Sequence, residues 1–250
     1  ELSSIDIVYT WVYEDEALMK DIKNYSPTAI SKGTYKSNDE LKFSLRSLER
    51  YAPWYNKIYI VVRDGQKPNW LRTNGRLEFV EHSKIIPSKY LPTFNSLVIE
   101  SFLHKIPNLS EKYIYFNDDV FLWNAVTPSM FFTIEGKTLE SGFTAGKNKV
   151  RSSLKQQKQY SFWRMIRYNM EILQQEFPPL RGKLLSIIQH TPTPQRVSVN
   201  NKLDNFLGSV RSRESKGTSV DEYTKLSRFR QNENIARNSI FKKYFYLLHD

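Results

Sequence analysis

Hydrophobic positions in the first half of the chain switch between two periods. Ile5-Asp6-Ile7-Val8-Tyr9-Thr10-Trp11-Val12 is dense in β-branched and aromatic residues and predicts a strand. Leu41, Leu45 and Leu48 then recur at helical spacing. Asn38 stands where a cap belongs, Asp39 and Glu40 fall in the first turn, and Pro53 is the stop. Residues 57–62 predict a second strand closed by the turn Asp64-Gly65-Gln66, and residues 77–80 a shorter third. Thr93 is expected to cap a helix reaching Leu103, with Pro107-Asn108 as its end. Residues 111–116 predict a fourth strand.

Strands alternating with helices point to an α/β fold with a Rossmann-like, mainly parallel sheet over residues 1–132. Beyond Phe132 the pattern changes. Residues 133–159, rich in Gly, Lys and Gln, read as a basic loop or insertion. Phe162, Ile166, Met170, Leu173 and Phe177 mark a helix stopped by Pro178-Pro179. Further helices are expected over 196–207 and 233–248, separated by a polar loop at 208–219. Residues 160–250 are therefore expected to form a mainly helical subdomain that completes the active site.

The fourth strand ends in Asn117-Asp118-Asp119. Adjacent carboxylates at the carboxyl end of a buried strand are costly unless a cation meets them, and that edge of an open α/β sheet is where ligands bind. A divalent ion carrying a nucleotide diphosphate fits the pair; a turn in which the three side chains satisfy local backbone groups is the plainer reading. The chain has only 9 glycines and neither a Gly-x-Gly-x-x-Gly nor a Walker loop, so phosphates must be met by metal and by Arg or Lys.

Charge is unevenly distributed. Residues 1–136 hold 16 Lys+Arg against 17 Asp+Glu, whereas residues 137–250 hold 21 against 9. A nucleotide-metal half facing an anion-binding half accounts for this, as does a solvated basic face. There is no cysteine, which excludes disulfides, thiolate metal sites and cysteine nucleophiles and suits a reducing compartment. No apolar run reaches the ~18–20 residues of a membrane span. Glu1-Leu2-Ser3-Ser4 lacks the pattern of a secretory signal and leads straight into a strand, as in an excised catalytic region.

Several of these segments resemble the Stealth family. The first strand is similar to its first block. Asp39-Glu40-Leu41-Lys42-Phe43-Ser44-Leu45-Arg46, Leu91-Pro92-Thr93-Phe94-Asn95-Ser96 and Tyr115-Phe116-Asn117-Asp118-Asp119 resemble its second. His190-Thr191-Pro192 with Arg196, and later Arg228-Phe229-Arg230, resemble its third. Two departures stand out. Tyr13-Glu14 occupies the place of an Asn or Asp followed by Gly, and no Ile-Asn-Asp-Asn block occurs by Asp250.

The resemblance implies a GT-A-like core and transfer of a hexosamine 1-phosphate from a UDP-amino sugar to an acceptor hydroxyl with release of UMP, as in capsular polysaccharide synthesis. It implies Mg²⁺ or Mn²⁺ on Asp118 and Asp119, and His190 as the base taking the acceptor proton. Arg196 and Arg230 are expected on diphosphate oxygens, with Arg228 a weaker third. Tyr9, Thr10 and Trp11 end the first strand at the ligand edge, where ring and hydroxyl groups suit uracil; for Tyr9 and Trp11 core packing competes. Asp39 is a donor contact or a helix-dipole carboxylate. Gln66 and Asn117 suit sugar or ribose. Arg46 lies in a matched block and is expected near the donor or paired with Asp6. His104 is assigned to helix surface or core, and His82 is left open.

Residues 147–167 carry Lys147, Lys149, Arg151, Lys155, Lys158, Arg164 and Arg167 with no acidic residue, interleaved with Tyr160, Phe162 and Trp163. A glycan or sugar-phosphate polymer acceptor, an anionic membrane surface and plain solvation all account for such a track. The combined reading is a bacterial cytoplasmic enzyme, peripheral at the inner membrane. A metal-dependent glycosyltransferase releasing UDP is the alternative. A nucleic-acid module is disfavoured, because no recognition motif accompanies the charge.

Overall fold

The computed structural model describes residues 4–25, 35–139, 142–143, 187–188 and 191–214. Strand β1 (Ile5–Trp11) is the centre of a five-stranded sheet. It pairs in parallel with β2 (Ile58–Val62) on one side and β4 (Lys112–Asn117) on the other. β3 (Leu77–Glu81) extends the sheet beyond β2, also in parallel. β5 (Gly142–Phe143) and β6 (Ile187–Ile188) form a separate antiparallel pair. β7 (Thr193–Arg196) closes the far edge antiparallel to β4, giving the order β3-β2-β1-β4-β7. The expected α/β class and mainly parallel sheet are thus present.

Strands buried on both faces need apolar side chains at every position, which is why β2 reads Ile58-Tyr59-Ile60-Val61-Val62 without alternation and is buried throughout. Helix α2 (Glu40–Tyr51) covers one face. Its stripe Leu41, Leu45 and Leu48 packs on Ile7, Tyr9 and Ile60. Under the other face Val8, Tyr59, Val61 and Tyr113 meet Ile85, Leu103 and Ile106. Those residues come from α3 (His82–Ile85) and from the irregular chain that follows α4 (Ser96–Glu100). Asp6, fully buried in β1, accepts from the backbone amides of Ser110 (2.7 Å) and Lys57 (3.1 Å) and from the Asn56 side chain (2.8 Å). Its partners are these groups, and the expected pairing with Arg46 is absent.

Other expectations are corrected. α1 (Glu16–Tyr25) was not anticipated, because its apolar stripe is only Leu18 and Ile22 in an otherwise polar decamer. α4 is shorter than expected and is capped by Asn95, whose side chain accepts from Leu97 N at 3.0 Å; Thr93 lies before it. Helix α5 (Val197–Glu214) begins near its expected start but continues through Gly208, where a polar loop was expected. β7 was not foreseen as a strand. Its Pro194 is tolerated because an edge strand need not donate on both sides. Through β7, residues 193–196 join the sheet built by the first 132 residues. The helices expected at 162–177 and 233–248, and most of the basic segment 133–159, lie outside the described residues.

Candidate active site

Parallel pairing brings the carboxyl ends of β1, β2 and β4 to one edge, and the strand order reverses between β1 and β4. A crevice opens at such a switch point because the connecting chains leave in opposite directions. Here it is a cavity of about 330 Å³. Thr10, Trp11 and Asn117 line it from the strand ends, Asp118 and Asp119 from the loop after β4, and Ser96 and Ile99 from α4.

The aspartate loop is held from behind. Tyr9, fully buried, shares a 2.9 Å hydrogen bond with Ser44 on α2, and the Ser44 hydroxyl reaches the Val120 carbonyl at 2.5 Å. Ser47 accepts from Leu122 N at 2.9 Å. These contacts tie the chain just after Asp119 to α2. Tyr9 is therefore a core residue and a positioning group, which corrects its expected place against the ligand. Thr10 and Asn117 are both hydrogen-bonded to the Tyr115 hydroxyl, Thr10 at 3.0 Å. Their polar groups are thus oriented at the cavity floor. Trp11 is buried, stacks on Tyr13 with ring centres 6.2 Å apart, and lines the cavity.

The Asp118 carboxyl is pushed up to about 6 by burial, by the neighbouring charge of Asp119 and by Glu40. Among the described residues no group of three or more His, Asp or Glu side chains is placed to hold a metal ion. Arg63, directly after β2, supplies a guanidinium to the cavity wall and pairs with Asp21. His82 and Thr93 stand on the same wall. The imidazole of His82 is pushed down to about 4 by burial, with Asp64 opposing and Arg63 reinforcing that shift.

Arg63, His82 and Thr93 were not expected at the site from the sequence. Their signal was position: Arg63 and His82 each follow immediately on a strand that ends at the ligand edge. Gln66 has a different task from the one expected. Its amide donates to the Tyr13 carbonyl at 2.7 Å and to Asp15 at 2.6 Å, fastening the loop after β1 to the turn after β2. Asp39 is an exposed residue at the start of α2 with φ 66°, its side chain 3.7 Å from Lys42 and making no cap bond. Arg46 is exposed on α2 over the Phe43 ring. Arg196 pairs with Glu111, and its register partner is Lys112, at the opposite end of β4 from Asn117. Five residues of strand, roughly 16 Å, separate those ends. The structure does not bring Arg196 to the aspartates. His190, Arg228 and Arg230 lie outside the described residues. His104 is core, buried and 2.8 Å from Asp204.

Residues 34–140, which contain α2, β2, β3 and β4 with Arg63, His82 and both aspartates, match the family model of Stealth protein conserved region 2. Over this stretch the chain resembles the Stealth family. Curated relatives agree. The capsular polysaccharide phosphotransferase LcbA of Aeromonas hydrophila is 42% identical over 142 residues, covering 53% of this chain and 39% of that protein. A capsular polysaccharide phosphotransferase of Haemophilus influenzae is 43% identical over 153 residues, covering 58% and 41%. An exopolysaccharide phosphotransferase of Streptomyces coelicolor is 44% identical over 141 residues, covering 54% and 24%. The chain therefore spans about two fifths or less of the length of each of these relatives.

Proposed function

We propose that the chain is a phosphotransferase of capsular polysaccharide synthesis that moves a hexosamine 1-phosphate from a UDP-amino sugar to a glycan hydroxyl and releases UMP, on a GT-A-like core. One observation carries this reading. Asp118 and Asp119 stand at the carboxyl end of β4, in a cavity with Arg63, inside the stretch shared with proteins named as capsular polysaccharide phosphotransferases.

The residues fit Mg²⁺ or Mn²⁺. Two adjacent hard carboxylates, one already destabilised as an anion by burial, by the other and by Glu40, match an ion that completes its shell with phosphate and water. When bound, such an ion neutralises charge on the diphosphate oxygens. Arg63 presents a guanidinium to those oxygens, the geometry a planar fork favours. Thr10, Asn117 and Trp11 hold the donor against the floor. The acceptor oxygen attacks the phosphorus bonded to the sugar, its proton passes to His190, the bond to the bridging oxygen breaks, and UMP leaves. The sugar C1–O bond survives, so anomeric configuration is kept. Transfers of this kind depend on positioning and charge stabilisation more than on covalent help. Arg230 assists at the diphosphate, and the basic segment 147–167 guides a sugar-phosphate polymer at the cytoplasmic face of the inner membrane.

The test is a panel of UDP-amino sugars with a glycan acceptor, with Mg²⁺ or EDTA, scored for the nucleotide released. UMP formed only with metal is expected. Release of UDP would replace this reading with the glycosyltransferase one.

A further inference from the structure

Three large apolar side chains stand in water on α2 and on the segment that follows Asp119. Trp123 is 85% exposed, Phe43 52% and Phe121 44%. A lone exposed ring needs no explanation, but several on one surface mark a place of contact.

The segment runs beside α2 in the same direction. Glu40 acts on the charge of Asp118, Ser44 meets the Val120 carbonyl, Ser47 accepts from Leu122 N, and the Tyr51 carbonyl accepts from Val126 N. These ties hold helix and segment together from the aspartates to the far end of α2, roughly 16 Å away. Leu122 is buried while its neighbours Phe121 and Trp123 are exposed, so both rings turn outward. A helix advances about 100° per residue, which puts Phe43 and Arg50 within about 60° of Ser47, Arg46 about 100° from it, and the exposed acid Glu49 about 160° away on the other flank. Rings and guanidinium groups therefore share one strip. Arg46 lies over the Phe43 ring, 5.7 Å from its centre, and Arg50 over the Tyr51 ring at 5.4 Å.

We propose that this strip of Phe43, Arg46, Arg50, Phe121 and Trp123 is a binding site for an anionic glycan of phosphate-linked sugars, holding the acceptor chain as it leads to the aspartates. The proposal rests on the glycan-acceptor reading above and gives that acceptor a surface on α2.

The chemistry of the strip selects this occupant. A pyranose has an apolar C–H face that lies flat on an aromatic ring, and a phosphate between two sugars is met by a guanidinium fork. Stacking on a ring orients the guanidinium plane while its N–H edge stays able to donate. Rings and cations interleaved along a helix suit a polymer that carries one charge per sugar. A bilayer surface calls for a different layout, with an apolar face on one side of the helix and the cations gathered on the other. Phe121 is two residues beyond Asp119, so a glycan lying on the strip has one end beside the cavity of the aspartates.

The experiment is calorimetric binding of two oligosaccharides to the 250-residue chain: hexosamine units joined through phosphodiesters, and the neutral oligomer of the same sugars. The wild type is expected to bind the charged oligomer about tenfold more tightly, the size of one hydrogen bond to an ionised group. Trp123→Ala should weaken both oligomers about tenfold, and Arg50→Gln should weaken the charged one alone by a similar factor. Both side chains are exposed, so thermal unfolding and the binding of UMP with Mg²⁺ should match the wild type in either variant. Equal affinity of the wild type and both variants for the charged oligomer overturns this proposal alone. Binding to phosphatidylglycerol vesicles, or self-association, that depends on Trp123 while oligomer affinity does not would also overturn it and reassign the surface. Failure of the wild type to bind either oligomer overturns the acceptor reading and this proposal together.

Discussion

Replacing Asp118 by Asn should make the metal-free protein more stable while removing its response to metal. The Asp118 carboxyl stands at about 6 in the folded chain against 3.8 in the unfolded one. Between those values the native state binds more protons than the unfolded state, so stability falls as pH rises from about 4 to 6 and stays lower above. A difference of about 2 pKa units corresponds to about 3 kcal/mol at pH 7.5, and about half of that is already present at pH 5. Asp118 is partly exposed, and solvent screening brings the expected gain for Asp118→Asn at pH 7.5 to about 1–2 kcal/mol. Urea unfolding in EDTA at pH 5 and 7.5 measures it, and the gain should be larger at the higher pH. Saturating Mg²⁺, at about a hundred times its dissociation constant, should then stabilise the wild type by about 2.7 kcal/mol and the variant little. Equal stability of the two proteins at pH 7.5, or equal stabilisation of both by Mg²⁺, would refute the view that the pair is an uncompensated cation site.

The remaining predictions concern other parts of the chain. His82 sits at about 4 when folded against 6.5 unfolded, so the unfolded state binds the extra proton between those values and stability drops as pH falls through that window. The loss should total about 3 kcal/mol, and His82→Gln should flatten it in acid titration followed by circular dichroism. Tyr113 donates to Gln195 at 2.7 Å and accepts from Asn200 at 2.8 Å in a buried network joining β4 to β7 and α5. Tyr113→Phe should cost about 1–3 kcal/mol in urea, because both partners lose a bond away from water. Asp6→Ala should cost at least about 2 kcal/mol by the same assay, since it strands two backbone amides. His190→Ala should abolish turnover while calorimetry still detects the donor; near-normal turnover would remove His190 from the mechanism.

Much of the fold was legible because burial on both faces of a parallel sheet writes itself locally. β1, β2, β4 and α2 could be read from apolar runs and a Leu41-Leu45-Leu48 stripe. The missed elements were those whose stability comes from elsewhere. α1 has two buried side chains, and β7 forms because β4 offers an open edge. Asn117-Asp118-Asp119 was legible as a site because a polar cluster ending an apolar run is a local signal. Arg63 and His82 gave no such signal, because a single charged or titratable residue after a strand is common on any surface.

The sequence by itself determined the class of fold, the resemblance to a family and the acidic pair, since each depends on residue types at short range. Only the tertiary structure decided which residues share the edge. Parallel register between β1, β2 and β4 brought Thr10, Arg63 and Asp118 to one end, and the antiparallel direction of β7 carried Arg196 to the other. Strand direction is set by packing across the whole sheet, and no local pattern encodes it.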